Sequence, residues 1–237
     1  MEQDYYFAFL RHGSYHQKAK VPSAWQPYSL DQAGFQQSEA AAKKLLNFAA
    51  QKNLAIAPTL YSSNLLRAYQ TACELDRAMH SPSEIHCSQA LNERSVGALA
   101  NLTLEEIDLI LHEDPRVEHP GFVWKADSHY RLPFDGAESL MDAGQRVADF
   151  IRSQAPQAGA KSLSIFVGHG ASFRHAAHLL GILEFDQIRQ LSMHYAEPII
   201  FQWQSESRVF KRVFGDWKYR DLPPSATEQK TESHFID

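Results

Sequence analysis

Apolar residues along the chain fall into short unbroken runs that alternate with stretches of helical spacing. The aromatic run "YYFAFL" (5–10) predicts a buried strand. "SLDQ" (29–32) has the Ser-x-x-Gln form of a capping box and opens an alanine-rich helix to about Lys52. "APTLYSS" (57–63) reads as a second strand, followed by a helix from Asn64 to about Met79, and "EIHCS" (84–88) as a third. "TLEE" (103–106) caps a short helix ending near His112, and "SLMD" (139–142) caps another to about Ser153. "SLSIFVGHG" (162–170) is an apolar run ended by glycine, with a helix expected from Ala171 to Leu183. Late strands near 198–204 and 207–213 pair as a hairpin across Ser205-Glu206.

Alternating strands and helices predict an α/β three-layer sandwich, with a mostly parallel central sheet and helices on both faces. Residues 1–222 are expected to form one domain. Segment 113–137 breaks the pattern with prolines, aromatics and mixed charge, and is expected to be a structureless lid or substrate loop. The polar tail from Pro223 is expected to be disordered.

Composition narrows the partners. With 237 residues, 44% hydrophobic and 22% charged, the chain has the makeup of a globular protein with a sizeable core. A net charge of -5 gives no general attraction to nucleic acid or an anionic membrane, so no such partner is expected. Any bound anion must be met by a local cluster of positive groups. Cys73 and Cys87 lack metal-ligand or redox spacing and read as ordinary thiols in a reducing compartment. No signal peptide is visible and no apolar run approaches a membrane span, so a cytoplasmic location is expected.

In a parallel sheet ligands gather at the carboxyl ends of the strands. Three such ends carry cationic or proton-carrying groups: Arg11 and His12 at the first, Arg67 after the second, and His169 after the strand at 162–168. Two guanidiniums and two imidazoles beside helix N-termini describe a phosphate pocket, since the arginine fork meets phosphate oxygens in pairs. His12 adds a competent nucleophile, kept unprotonated by its positive neighbours. Glu93, in "LNERSVGAL", is the carboxylate best placed to protonate a leaving alcohol. His169, His175 and His178 raise a metal reading, but no carboxylate is spaced to complete a site and no metal is expected.

Arg-His-Gly after an N-terminal strand, "SSNLLRAYQTA" (62–72), "LNERSVGAL" (91–99), "GAES" (136–139) and "VGHGASFRHAAHLLG" (167–181) stand in an order that resembles the histidine phosphatase superfamily, in the branch with cofactor-dependent phosphoglycerate mutases. The resemblance covers about residues 5–183. It implies His12 as nucleophile, Arg11, Arg67 and His169 as phosphate pocket, Glu93 as proton donor, and activity without a metal; for this chain no cofactor is expected. The chain departs from the mutase pattern in several places. Ser14-Tyr15-His16-Gln17 replaces the usual Glu-Ser and following Asn, Val96 stands where mutases carry a tyrosine, and no adjacent Arg-Arg pair occurs.

The expected activity is hydrolysis of a phosphomonoester, on a small molecule or a phosphoprotein, through phospho-His12. Mutase-type transfer is the enzymatic alternative. A phospho-ligand binding module without turnover is the competing class, disfavoured by the presence of Arg11, His12, Arg67, Glu93 and His169 together. Ser14, Tyr15 and Gln17 are candidate substrate contacts beside the nucleophile. Substrate identity and oligomeric state are open at this level.

Overall fold

A computed structural model describes residues 3–80, 83–121, 124–159 and 161–220. The first apolar run forms β1 (Tyr5–Arg11), and its alternate side chains enter two different cores. Phe7 and Phe9 pack with Val147, Ile151, Phe166 and Phe173 on one face of the sheet. Ala8 and Leu10 pack with Leu45, Leu60, Leu75 and Ile165 on the other. A strand covered on both faces has no polar alternation to show, which is why it reads as a continuous run.

The remaining order is α1 (Gln32–Lys52), β2 (Ala55–Ser63), α2 (Leu66–Met79), β3 (Glu84–Ser88), α3 (Leu104–Glu113), α4 (Leu140–Gln154), β4 (Ser162–Gly168), α5 (Gly170–Leu179), α6 (Phe185–Gln190), β5 (Leu191–Ser192), β6 (Pro198–Gln204), β7 (Val209–Phe214) and β8 (Lys218–Tyr219). Six strands form the central sheet in the order β3-β2-β4-β1-β6-β7. The first four run parallel, and β6 and β7 close one side antiparallel. This is the expected α/β architecture, with α1 and α2 contributing to one core and α4 and α5 to the other.

Several boundaries differ from expectation for identifiable reasons. The cap of α1 is Asp31 rather than Ser29, because the Asp31 carboxylate accepts both the Gly34 N–H (2.8 Å) and the Ser14 hydroxyl (2.6 Å). The capping boxes of α3 and α4 form as expected, on Thr103 with Glu106 and on Ser139 with Asp142. The helix after β4 ends at Leu179, and α6, β5 and β8 had no expected counterpart, being too short to show a period.

Segment 113–137 is not structureless where it is described. Trp124–Ala126 form a 3₁₀ turn, and Trp124, Leu132 and Ala137 are buried with Val96, Leu99, Ile107 and Leu111 in a satellite core. The tail expected to be disordered lies outside the described residues.

Candidate active site

Sheet register builds the site. Arg11 is paired with Gly168 across β1 and β4, and the His12 N–H continues the ladder to the Gly168 carbonyl at 3.0 Å. His12 and His169 therefore leave adjacent strands side by side, with ring centroids 5.1 Å apart. Pairing of Ser62 with Val167 places Ser63 beside the same exit. Gly13 lets the turn after His12 press against α1: a Cβ there would lie 2.6 Å from the Gly34 carbonyl oxygen. Its N–H is taken by the Thr71 hydroxyl at 3.0 Å.

The hydrogen bonds fix the state of the two imidazoles. His12 Nδ1 lies 2.7 Å from the Gly13 carbonyl, which only accepts, so Nδ1 carries the proton. Arg67 Nε, which only donates, points at His12 Nε2 at 3.2 Å, so Nε2 holds the lone pair. His169 Nδ1 accepts from Arg67 Nη2 at 3.3 Å, and its Nε2–H is directed at the Ser63 hydroxyl at 2.8 Å. Ser63 in turn donates to Asn92 Oδ1 at 2.8 Å. Both rings are buried, and burial, then the charges of Arg67 and neighbouring cationic groups, holds both pKa values well below the usual histidine value.

Arg67 is fully buried, yet no carboxylate forms an ion pair with it among the described residues. Its fork is held by the carbonyls of Gln26 (2.9 Å), Ser23 (2.6 Å) and Ala24 (3.3 Å). A buried cation satisfied by dipoles but not neutralised is suited to an incoming anion. Arg11 donates to the Met193 carbonyl at 3.0 Å, and its guanidinium lies 3.9 Å over the Tyr195 ring.

Glu93 is buried at the same end of the sheet, where Oε1 accepts the Arg94 N–H at 3.0 Å. Its charge acts on Tyr15, Arg67 and Arg174. The backbone carrying it is gathered by Arg146, which donates to the carbonyls of Gln89, Ala90, Asn92 and Glu93 at 2.8–3.2 Å. Arg146 also forms a two-pronged pair with Glu138 at 2.7 and 2.9 Å.

The other candidates are placed differently. Ser14 spends its hydroxyl on Asp31, and Gln17 is exposed. Tyr15 is buried against His12, with ring centroids 5.2 Å apart. His175 is hydrogen-bonded to the Ala171 carbonyl and Ser128, which docks segment 124–131 on α5, and burial brings its pKa down to about 4. His178 faces the Leu183 carbonyl. Among the described residues no three His, Cys, Asp or Glu side chains converge as a metal site.

The pattern reading missed Ser63, Asn92, Gln26, Tyr195 and Arg146. Ser63 and Asn92 lie inside quoted motifs, but polar side chains there read equally well as turn residues. Tyr195 reaches the pocket from the far side of the chain, with nothing local to mark it.

A chain whose parallel strands bring two imidazoles and Arg11 to one end of the sheet, where the helix after β2 adds the buried Arg67, has the makings of a phosphoryl-transfer enzyme. The family model of the histidine phosphatase superfamily (branch 1) matches residues 7–215, and the chain belongs to that family. A 2,3-bisphosphoglycerate-dependent phosphoglycerate mutase of Sinorhizobium fredii is 28% identical over 215 residues, 87% of this chain and 94% of that protein. Among solved structures, a mycobacterial glucosyl-3-phosphoglycerate phosphatase superposes with a TM-score of 0.64 at 23% identity, covering 89% of this chain and 97% of the other. A phosphoserine phosphatase of Entamoeba histolytica, solved with 3-phosphoglyceric acid, superposes with a TM-score of 0.59 at 17% identity, covering 91% and 98%. These relatives are mutases and phosphatases, and phosphoryl transfer through a histidine is the chemistry they support. Among the described residues no helix is long and apolar enough to cross a membrane.

Proposed function

We propose that the protein is a metal-independent phosphatase that hydrolyses a phosphomonoester through phospho-His12. The observation that carries this reading is the His12 tautomer: Nδ1–H is tied to the Gly13 carbonyl, and Nε2 presents its lone pair beside a buried guanidinium. The entering phosphoryl group takes the place of the Arg67 Nε–H contact. Nε2 forms the N–P bond as the ester P–O bond breaks, and Glu93 gives its proton to the departing oxygen. Arg11 and Arg67 meet the charge on the nonbridging oxygens, and His169 joins them once the arriving anion favours its protonated form. Water then attacks phosphorus, the N–P bond breaks, and Glu93 takes back a proton.

Hydrolysis is favoured over mutase transfer by what surrounds the pocket. Val96, in the position where mutases carry a tyrosine, is 1% exposed and packed in the satellite core, so it offers no hydroxyl to a reorienting substrate. No Arg-Arg pair is available for a substrate carboxylate. The mutase reading draws on the curated relatives at 28% identity. The relatives' names place phosphorylated three-carbon acids and their glycosides among the esters to try first. The purified protein is given 3-phosphoglycerate with a bisphosphoglycerate primer in the presence of a chelator, and products are separated. Inorganic phosphate in excess of 2-phosphoglycerate is expected. Interconversion faster than phosphate release from any ester tested would replace this reading with the mutase.

A further inference from the structure

Tyr15 holds a polar group that the chemistry above leaves unused. The residue is 5% exposed, and its hydroxyl oxygen is buried with no hydrogen-bond partner among the described residues. Buried hydroxyls in folded proteins are nearly always paired, because the lost water must be replaced. The surrounding loop is otherwise well satisfied. Ser14 bonds Asp31, the His16 N–H bonds the Ser29 carbonyl, and Tyr15 bridges Leu30. The orphan is confined to one atom.

That atom belongs to a ring in the phosphate pocket. The Tyr15 ring stands nearly perpendicular to His12, at 86°, and the Arg67 guanidinium lies 4.7 Å over it. The charged and titratable groups that act on the phenol are Arg67, Tyr195, Arg11 and Glu93, all at this site. Nearby donors are already committed in part, Arg67 to three carbonyls and Arg11 to Met193. A phosphoryl group has three nonbridging oxygens to satisfy, and each needs donors that water no longer supplies.

We propose that the Tyr15 hydroxyl is a catalytic hydrogen-bond donor to a nonbridging oxygen of the phosphoryl group during its transfer to His12. The assignment rests on the phosphatase reading and extends it by one residue. Tyr15 keeps its proton throughout: burial, the largest influence on it, raises the phenol above its ordinary pKa despite the two arginines. It acts by donating, and not by taking part in the proton transfers assigned to Glu93.

The alternative is that Tyr15 serves only as a packed ring, and Tyr15→Phe separates the two because it keeps the ring against His12 and Arg67. Four quantities are compared with wild type: melting temperature without anion, affinity for inorganic phosphate, kcat/KM for p-nitrophenyl phosphate, and inhibition of that hydrolysis by orthovanadate. Removing a hydroxyl that has no partner should leave the melting temperature unchanged or raise it. Phosphate affinity, vanadate affinity and kcat/KM should each fall about 10–100-fold, vanadate more than phosphate because it resembles the transition state. A wild type that binds neither anion would overturn the phosphatase reading and this assignment with it. A wild type that binds both, with Tyr15→Phe matching it, would overturn the assignment alone. A marked loss of stability in Tyr15→Phe would show that the hydroxyl has a structural partner, and would overturn it too.

Discussion

At the residue scale the site depends on which nitrogen, oxygen or proton each side chain presents. Glu93 illustrates this, since its carboxylate could merely accept the Arg94 N–H or could also hand a proton to a leaving oxygen. The two roles separate by leaving group. An alkoxide cannot depart near neutral pH unassisted, whereas p-nitrophenolate can. Glu93→Gln keeps the shape and removes the proton, so the first step with an alkyl phosphate should slow by about 10²–10⁴-fold. The same step with p-nitrophenyl phosphate should slow far less. Single-turnover rates for both esters decide it, and equal slowing would remove Glu93 as general acid. Glu138 is a poor substitute: burial raises its pKa, but Arg146 and the Ser95 N–H outweigh this and lower it overall, leaving it an ionised clamp.

At the scale of elements, the sheet brings His12 and His169 together by register, and Arg146 on α4 sets where Glu93 stands. One guanidinium collects four carbonyls of the strand-to-loop exit and locks them to Glu138. Arg146→Lys keeps the charge but cannot span these acceptors. It should slow the alkyl phosphate by about 10²-fold, as small misplacements of catalytic groups do, and p-nitrophenyl phosphate much less. Parallel loss on both esters would mean that Arg146 only supports the fold. This division also explains what the chain made legible. Arg11, His12, Arg67, Glu93 and His169 sit at strand exits or in family-like motifs, where chemistry and position coincide, so the sequence already offers them as candidates. Ser63, Asn92, Arg146 and Tyr195 meet the site only through tertiary packing. The order within segment 113–137 was likewise hidden, because Trp124 and Leu132 bury themselves against Val96 and Ile107 from distant parts of the chain. The α1 cap moved by two residues because Ser14, far off in sequence, prefers Asp31.

At the scale of the whole molecule, the fold keeps three imidazoles neutral in its interior, those of His12, His169 and His175. Each has a folded pKa below its unfolded value, so between the two the unfolded chain binds more protons and stability rises with pH. Acidification from pH 7 to 5.5 should then cost about 1 kcal/mol per buried histidine. Denaturant titrations at the two pH values measure it, and a pH-independent free energy would contradict the burial described. The same buried, neutral state suits His12 to the nucleophilic role proposed for it at physiological pH. Rapid acid-free quench after mixing enzyme with ³²P-labelled substrate, followed by peptide mapping, tests it most directly. One labelled peptide carrying His12 is expected, stable to base and labile to acid, with no label in His12→Ala, whose activity falls by several orders of magnitude. Label that persists in His12→Ala, or turnover in wild type with no labelled histidine at any time point, would contradict it.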